Sequence, residues 1–246
     1  MTQPARYAIY YAPPEPLWAI GASWLGRDAD GLLGPVEPPG HLDRAFWENA
    51  TASPRHYGLH ATLKPPFHLR EGKDEDGLLT AVRAIAGDQT PFELPALQVS
   101  AMGRFLALTL TDRCARVHTL ADLCVKAFDH YRARPSTEEL ERRRRAGLTR
   151  PQEAYLSEWG YPYVFAEYRF HITLTNAIGA EADRARLRQA AERHFPSDAL
   201  APRLLDEIAV YRQPERNAPF TVLERVPFTR RAAPDTCARH VGDTEC

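Results

Sequence analysis

Residues 59–67 read Leu-His-Ala-Thr-Leu-Lys-Pro-Pro-Phe, and residues 170–175 read Phe-His-Ile-Thr-Leu-Thr. The two stretches share one frame, apolar–His–apolar–Thr–apolar, with their histidines 111 residues apart. Alternation with period 2 is the pattern of a strand with one buried and one open face. Leu59, Ala61 and Leu63 face a core in the first copy, as do Phe170, Ile172 and Leu174 in the second. His60, Thr62 and Lys64 then share the open face, as do His171, Thr173 and Thr175. One H-x-T triplet is a chance event in a chain of this length. Two in matching apolar frames predict a duplicated lobe that brings two His–Thr pairs together.

Composition sets wide bounds. A chain of 246 residues with 44% hydrophobic and 26% charged residues has the makings of a soluble globular domain with a sizeable core. Lys+Arg 31 against Asp+Glu 32 leaves a net charge of −1, so no global basic field advertises a nucleic acid partner. Cys114, Cys124, Cys237 and Cys246 form neither a C-x-x-C pair nor a zinc-ligand spacing. No basic and apolar leader opens the chain, and no apolar run approaches 18 residues. A reducing, cytoplasmic setting away from any membrane is the expectation.

Outward from the two motifs, strands and helices alternate. Residues 7–12 (YAIYYA) read as a strand stopped by Pro13-Pro14, followed by helices near 17–25 and 42–50. Pro65-Pro66 should end the first motif strand, because proline donates nothing to a ladder. A helix over 75–86, strands over 92–102 and 105–111, and a helix over 117–131 come next. Residues 135–160 form a helical segment capped at Ser136 or Thr137 and carrying Arg142–Arg145. That basic run reads either as a phosphate-attracting rim or, more plainly, as a solvated helix face. A helix over 181–194 and strands near 205–211 and 221–226 complete the pattern, and 229–246 is expected to be a disordered tail. Adjacent strand pairs within this alternation predict antiparallel sheets, hence an α+β fold.

Two histidines facing one cleft suit phosphodiester chemistry without a metal. Displacement at phosphorus is in line, so one group activates the incoming oxygen while another protonates the leaving oxygen. Imidazole does both near neutrality, its ordinary pKa being about 6.5. Threonine hydroxyls can donate to the non-bridging oxygens, where charge accumulates. Lys64, Arg55 and Arg169 lie on or beside the motif strands and are candidates to bind the phosphate, and Tyr10 is a candidate to stack on a ring. His56, His68, His118, His130, His194 and His240 follow no repeated frame and read as surface or local structural residues. The motif strands carry no carboxylate, which disfavours a metal site. No G-x-S-x-G elbow and no P-loop is present.

The two copies resemble the paired signature of the 2H phosphoesterases, the superfamily of RNA 2′,3′-cyclic phosphodiesterases and ligase-like (LigT-like) enzymes. RYAIYYAPP at 6–14, YGLHATLKPPF at 57–67, ELERRRRAGLTRPQEAYLSEWG at 139–160 and WGYPYVFAEYRFHITLT at 159–175 are closest to a subfamily found beside phosphonate-degradation (carbon–phosphorus lyase) genes. The resemblance spans roughly residues 5–228. It implies one bilobal domain over 1–228, with pseudo-twofold symmetry and two antiparallel sheets backed by helices around a central cleft. It implies His60, Thr62, His171 and Thr173 as the catalytic set, with no metal and no cofactor. The 135–160 segment is an addition to the minimal pattern and inherits no role. The expected activity is hydrolysis of a cyclic or linear phosphodiester, with a small ribosyl or nucleotide cyclic phosphate favoured over an RNA end. The competing readings are a non-catalytic module that binds a phosphorylated ligand or RNA end, and a metallohydrolase using His60 and His171 as ligands.

Overall fold

The computed structural model describes residues 4–31, 34, 36–145 and 147–230. The expected tail, with Cys237, His240 and Cys246, lies outside the described residues from position 231 onward. Strands and helices follow in the order β1 (Arg6–Tyr11), α1 (Leu17–Leu25), α2 (Arg44–Tyr57), β2 (Ala61–His68), α3 (Glu75–Gly87), β3 (Phe92–Leu94), β4 (Leu97–Met102), β5 (Phe105–Leu110) and α4 (Ala115–Ala127). They continue with α5 (Thr137–Arg144), α6 (Arg150–Trp159), β6 (His171–Thr173), α7 (Glu181–His194), β7 (Arg203–Leu205), β8 (Glu207–Gln213) and β9 (Thr221–Pro227). The architecture is α+β, with antiparallel pairing throughout.

The order of the large sheet, β4-β5-β6-β2-β1-β8-β9, is a palindrome apart from β9. Exchanging β1 with β5, β2 with β6 and β4 with β8 returns the same order. The repeated unit is therefore strand, helix, motif strand, helix, short strand, strand: β1 to β4 in the first half and β5 to β8 in the second. Each half gives its last strand away, since β4 pairs with β5 and β8 pairs with β1. The short strands β3 and β7 pair with each other in a second, two-stranded sheet. The lobes do not carry separate large sheets facing across a gap. They join edge to edge at a single residue pair, Ala61 opposite Ile172.

The apolar face of both motifs is buried as the alternation requires: Leu59, Ala61, Leu63, Phe170, Ile172 and Leu174 all belong to the main core. Beyond Ala61 strand β2 has no partner on its β6 side, so it is an edge there. One of the two prolines can turn its missing donor to that open side, and both fall in a register shift against β1 between the pairs Tyr7–Phe67 and Ile9–Lys64. The strand therefore runs on to His68, where the sequence predicted a stop. A register shift against β1, between the pairs Ile9–Lys64 and Tyr10–Thr62, breaks its alternation just after Thr62.

Helix α2 reaches Tyr57 although it contains Pro54. Proline lacks the N–H that would bond the carbonyl four residues back, which leaves Ala50 O open. The N–H of Asn176 fills that position at 2.6 Å. The Asn176 side chain adds a bond from Nδ2 to Asn49 O at 2.8 Å and accepts from Ser53 N at 2.9 Å. The exit from the second motif strand is thereby docked on the helix that enters the first. Replacing Asn176 by Ala removes both side-chain bonds and should lower unfolding free energy by about 1–2 kcal/mol. Equilibrium urea denaturation reads this directly, and a change under ~0.3 kcal/mol would show that the docking contributes nothing net.

Candidate active site

The register at Ala61–Ile172 decides where the polar face goes. In antiparallel strands that pairing puts His60 opposite Thr173 and Thr62 opposite His171. Directly opposed side chains have Cβ atoms about 4.5–5.5 Å apart, and diagonal ones about 7–8 Å. The two histidines are diagonal, and so are the two threonines. All four line one cavity of about 810 Å³ on the face of the sheet away from the Ala61 and Ile172 side chains.

Both imidazoles are held in the same way. His60 Nδ1 lies 2.9 Å from Gly58 O and His171 Nδ1 lies 2.8 Å from Arg169 O, each the carbonyl two residues back. A carbonyl only accepts, so the proton sits on Nδ1 and the Nε2 lone pair is left free. Gly58 makes this possible in the first copy. Its φ is +79°, and a Cβ there would stand 2.6 Å from that of Ala29. Tyr10, opposite Thr62 on β1, stacks on the His60 ring at 3.8 Å and an interplanar angle of 18°.

Burial disfavours the charged imidazole. It lowers His60 to about 4, opposed by the bond to Gly58 O and assisted by His171. Burial also lowers His171, against the bond to Arg169 O. Both rings are therefore neutral near pH 7. Two free imidazole nitrogens over one cavity can take a proton from one oxygen and, once protonated, give one to another.

Of the remaining expected residues, Tyr10 and Arg169 line the cavity. Lys64 does not. The irregularity after Thr62 turns it into the interior, where its ammonium donates to Val125 O at 2.9 Å and lies 3.8 Å from Asp129 Oδ1. Burial brings its pKa down to about 8. Arg55 is also a scaffold residue. Its Nε donates to Leu25 O, one Nη donates to Thr51 Oγ1, and the guanidinium lies 4.9 Å over Trp47. Thr175, on the predicted open face, is tied to the backbone by accepting from Leu106 N and donating to Asn176 O. His68 and His194 bond backbone carbonyls and His56 bonds Gln213, as local structural residues do.

The sequence reading missed Tyr57, Tyr161, Tyr163 and Arg6 as lining residues, and it ranked the rim reading of the arginine run below a solvated helix face. Tyr57, Tyr161, Tyr163 and Arg6 face the cavity, together with Arg142 and Arg143 of α5. The segment with α5 and α6 thus covers the cleft. Its arginine run is split, because Arg144 points away and pairs with Glu153 at 2.7 Å. The signal was the tyrosine pair around Pro162, which follows a run of four arginines in the same inserted segment. Among the described residues no group of three or more His, Cys, Asp or Glu stands close enough to hold a metal ion. No helix among them is long and apolar enough to cross a membrane.

The model of a protein family described as a protein of unknown function, DUF1045, matches residues 62–221. This chain belongs to the DUF1045 family. Two relatives, from Janthinobacterium sp. (strain Marseille) and Laribacter hongkongensis (strain HLHK9), are both named ribose 1,5-bisphosphate phosphokinase PhnN. The first is 41% identical over 231 residues and the second 34% over 223, covering 91% and 90% of this DUF1045 chain. In each case the match covers 51% of the relative, so the chain spans about half the length of these proteins. Among solved structures, Escherichia coli LigT complexed with 3′-AMP superposes with a TM-score of 0.47 at 17% identity, covering 93% of this chain and all of that one. The protein TT0787 of Thermus thermophilus gives 0.43 at 16% identity, covering 91% and 98%.

If the two imidazoles act as a pair, replacing either His60 or His171 by Gln should cut turnover by roughly 10²-fold or more with the fold intact. The pH profile of kcat/KM reports the free protein's coupled pair. Because both groups are pushed down, its maximum should lie on the acid side of 6.5, and activity should fall as the shared proton is lost toward pH 8. A kcat/KM maximum at pH 7.5 or above would show that burial does not set these groups. Thr62→Val and Thr173→Val remove one donor each and should cost on the order of 10- to 10³-fold in kcat at nearly constant shape.

Proposed function

We propose that this DUF1045 chain is a 2H-type phosphoesterase that opens a cyclic phosphodiester, or cleaves a linear one, by acid–base catalysis between His60 and His171. The observation that carries this reading is the matched tethering of the two imidazoles. Each is locked through Nδ1 with its Nε2 free over one cavity, and each lies directly across from the threonine of the other motif.

In the proposed step a water oxygen attacks phosphorus as one neutral imidazole takes its proton. The bond from phosphorus to the leaving oxygen breaks on the far side, and the other imidazole, protonated beforehand, gives that oxygen a proton. A cyclic diester leaves as a phosphomonoester with a free neighbouring hydroxyl. The dyad ends with its proton on the opposite ring, which exchange with water restores. The Thr62 and Thr173 hydroxyls donate to the non-bridging oxygens as charge builds there. No step uses a metal, and the chemistry of the lining residues supplies both proton transfers.

For the substrate we favour a small ribosyl or nucleotide cyclic phosphate in a cytoplasmic setting linked to phosphonate breakdown. A cavity of about 810 Å³ suits a sugar phosphate or nucleotide. The subfamily that the motifs resemble lies beside phosphonate-degradation genes, and the curated relatives carry the name of a ribose bisphosphate kinase. With a net charge of −1 the chain carries no global excess of positive charge to favour a polyanion such as an RNA end.

Incubation with ribosyl and nucleoside 2′,3′-cyclic phosphates, followed by phosphorus NMR, should show conversion to a phosphomonoester that survives exhaustive chelation. Loss on chelation, restored by one divalent ion, would favour the metallohydrolase. Turnover of none of these compounds, with tight binding of their products, would leave a phosphate-binding module.

A further inference from the structure

The cover of the cleft carries charge that the His–Thr pairs do not use. One Nη of Arg143 donates to Glu139 at 2.8 Å, and the guanidinium lies 5.0 Å over the ring of Tyr161. Its Nε is buried and has no hydrogen-bond partner among the described residues. A buried, unpaired guanidinium N–H is a costly feature to keep. Arg142 stands 4.0 Å from the same Glu139 carboxylate. One carboxylate thus serves two guanidiniums, and both line the cavity that holds His60 and His171.

The charge count of the wall points the same way. Its charged members are Arg6, Arg142, Arg143 and Arg169, against Glu167, which accepts from Gln152. A phosphodiester between the imidazoles carries a single negative charge, and Arg169 stands beside His171 to meet it. Arg142 and Arg143 are left over. They belong to α5, one of three helices between β5 and β6 where the first half has two between β1 and β2. The roof arginines are not remote from the chemistry. Tyr161, Tyr10 and Tyr57 line the same cavity, and the rings of Tyr10 and Tyr57 are centred 3.8 and 6.1 Å from that of His60.

We propose that Arg143, assisted by Arg142 and backed by Tyr161, is a second anion subsite. The substrate then carries, on the sugar or alcohol that bears the cyclic phosphate, a further terminal phosphate. This rests on the phosphoesterase reading for the pose of the first phosphate, and the charge arrangement alone supports the second. The charge that Glu139 leaves uncompensated on the two guanidiniums is met when a phosphomonoester sits under α5. An anionic substituent in this position holds the sugar at both ends and orients the scissile bond between the imidazoles.

Calorimetric binding of adenosine 3′-monophosphate and adenosine 3′,5′-bisphosphate to the full chain tests this without requiring turnover. The bisphosphate should bind at least roughly 10-fold more tightly, the scale of one charge-assisted hydrogen bond. In Arg143→Gln the ratio should fall to about one. In Arg144→Gln, whose side chain pairs with Glu153, it should match the parent. Equal binding of the two compounds by the parent, no measurable binding of either at millimolar concentration, or an unchanged ratio in Arg143→Gln overturns the proposal. The two readings fail separately. Discrimination that depends on Arg143 without turnover of any cyclic phosphate would sink the phosphoesterase and leave the subsite. Turnover without discrimination would do the reverse.

Discussion

One backbone pairing, Ala61 beside Ile172, joins the two halves of the large sheet, and the site depends on it. Both residues are fully buried, and each sits between the histidine and threonine of its own motif. Because successive side chains of a strand point to opposite faces, burying these two compels the four polar neighbours to the other side. A slip of one residue in either strand would turn a His–Thr pair into the core. The exchange of β4 and β8 between the halves holds the register from outside the pairing. So does the docking of Asn176 on the carbonyl that Pro54 leaves open.

The same arrangement explains the electrostatics. The imidazoles are half-buried beside aromatic rings, which makes their charged forms unfavourable until an anion arrives. A bound phosphate reverses that balance by stabilising an imidazolium, so the ligand itself helps to load the proton that the leaving group needs. The guanidiniums stand at the rim and in the roof and leave the floor to neutral donors. Charge on the ligand is thus met by arginines, and charge that develops in reaction is met by hydroxyls and imidazoles.

Much of this was legible in the chain because the duplication is preserved at the motifs. The strands, the α+β class and the inward and outward faces of residues 59–63 and 170–174 followed from period-2 alternation. The placement of Lys64 was not legible. Alternation assigns it to the face of Thr62, and only the register shift against β1 turns it inward. Arg55 read as a phosphate ligand by proximity in sequence, whereas it braces Trp47 and the end of α1. The helix expected near 42–50 runs on to Tyr57, and only a partner from 122 residues farther along the chain makes Pro54 tolerable within it. The arginines of α5 looked like a solvated face because helical position alone does not reveal a roof. That distinction belongs to tertiary packing.

The central claim is that both imidazoles are neutral and protonated on Nδ1, with Nε2 open to one cavity. Long-range nitrogen–proton NMR on histidine-labelled protein, with His60 and His171 assigned by their Gln variants, reads the tautomer and the titration of each ring directly. The account predicts that at pH 7 both carry their proton on Nδ1 and that both titrate below the ordinary histidine value of about 6.5. A proton on Nε2 of either ring, or an unshifted titration of both, would contradict it.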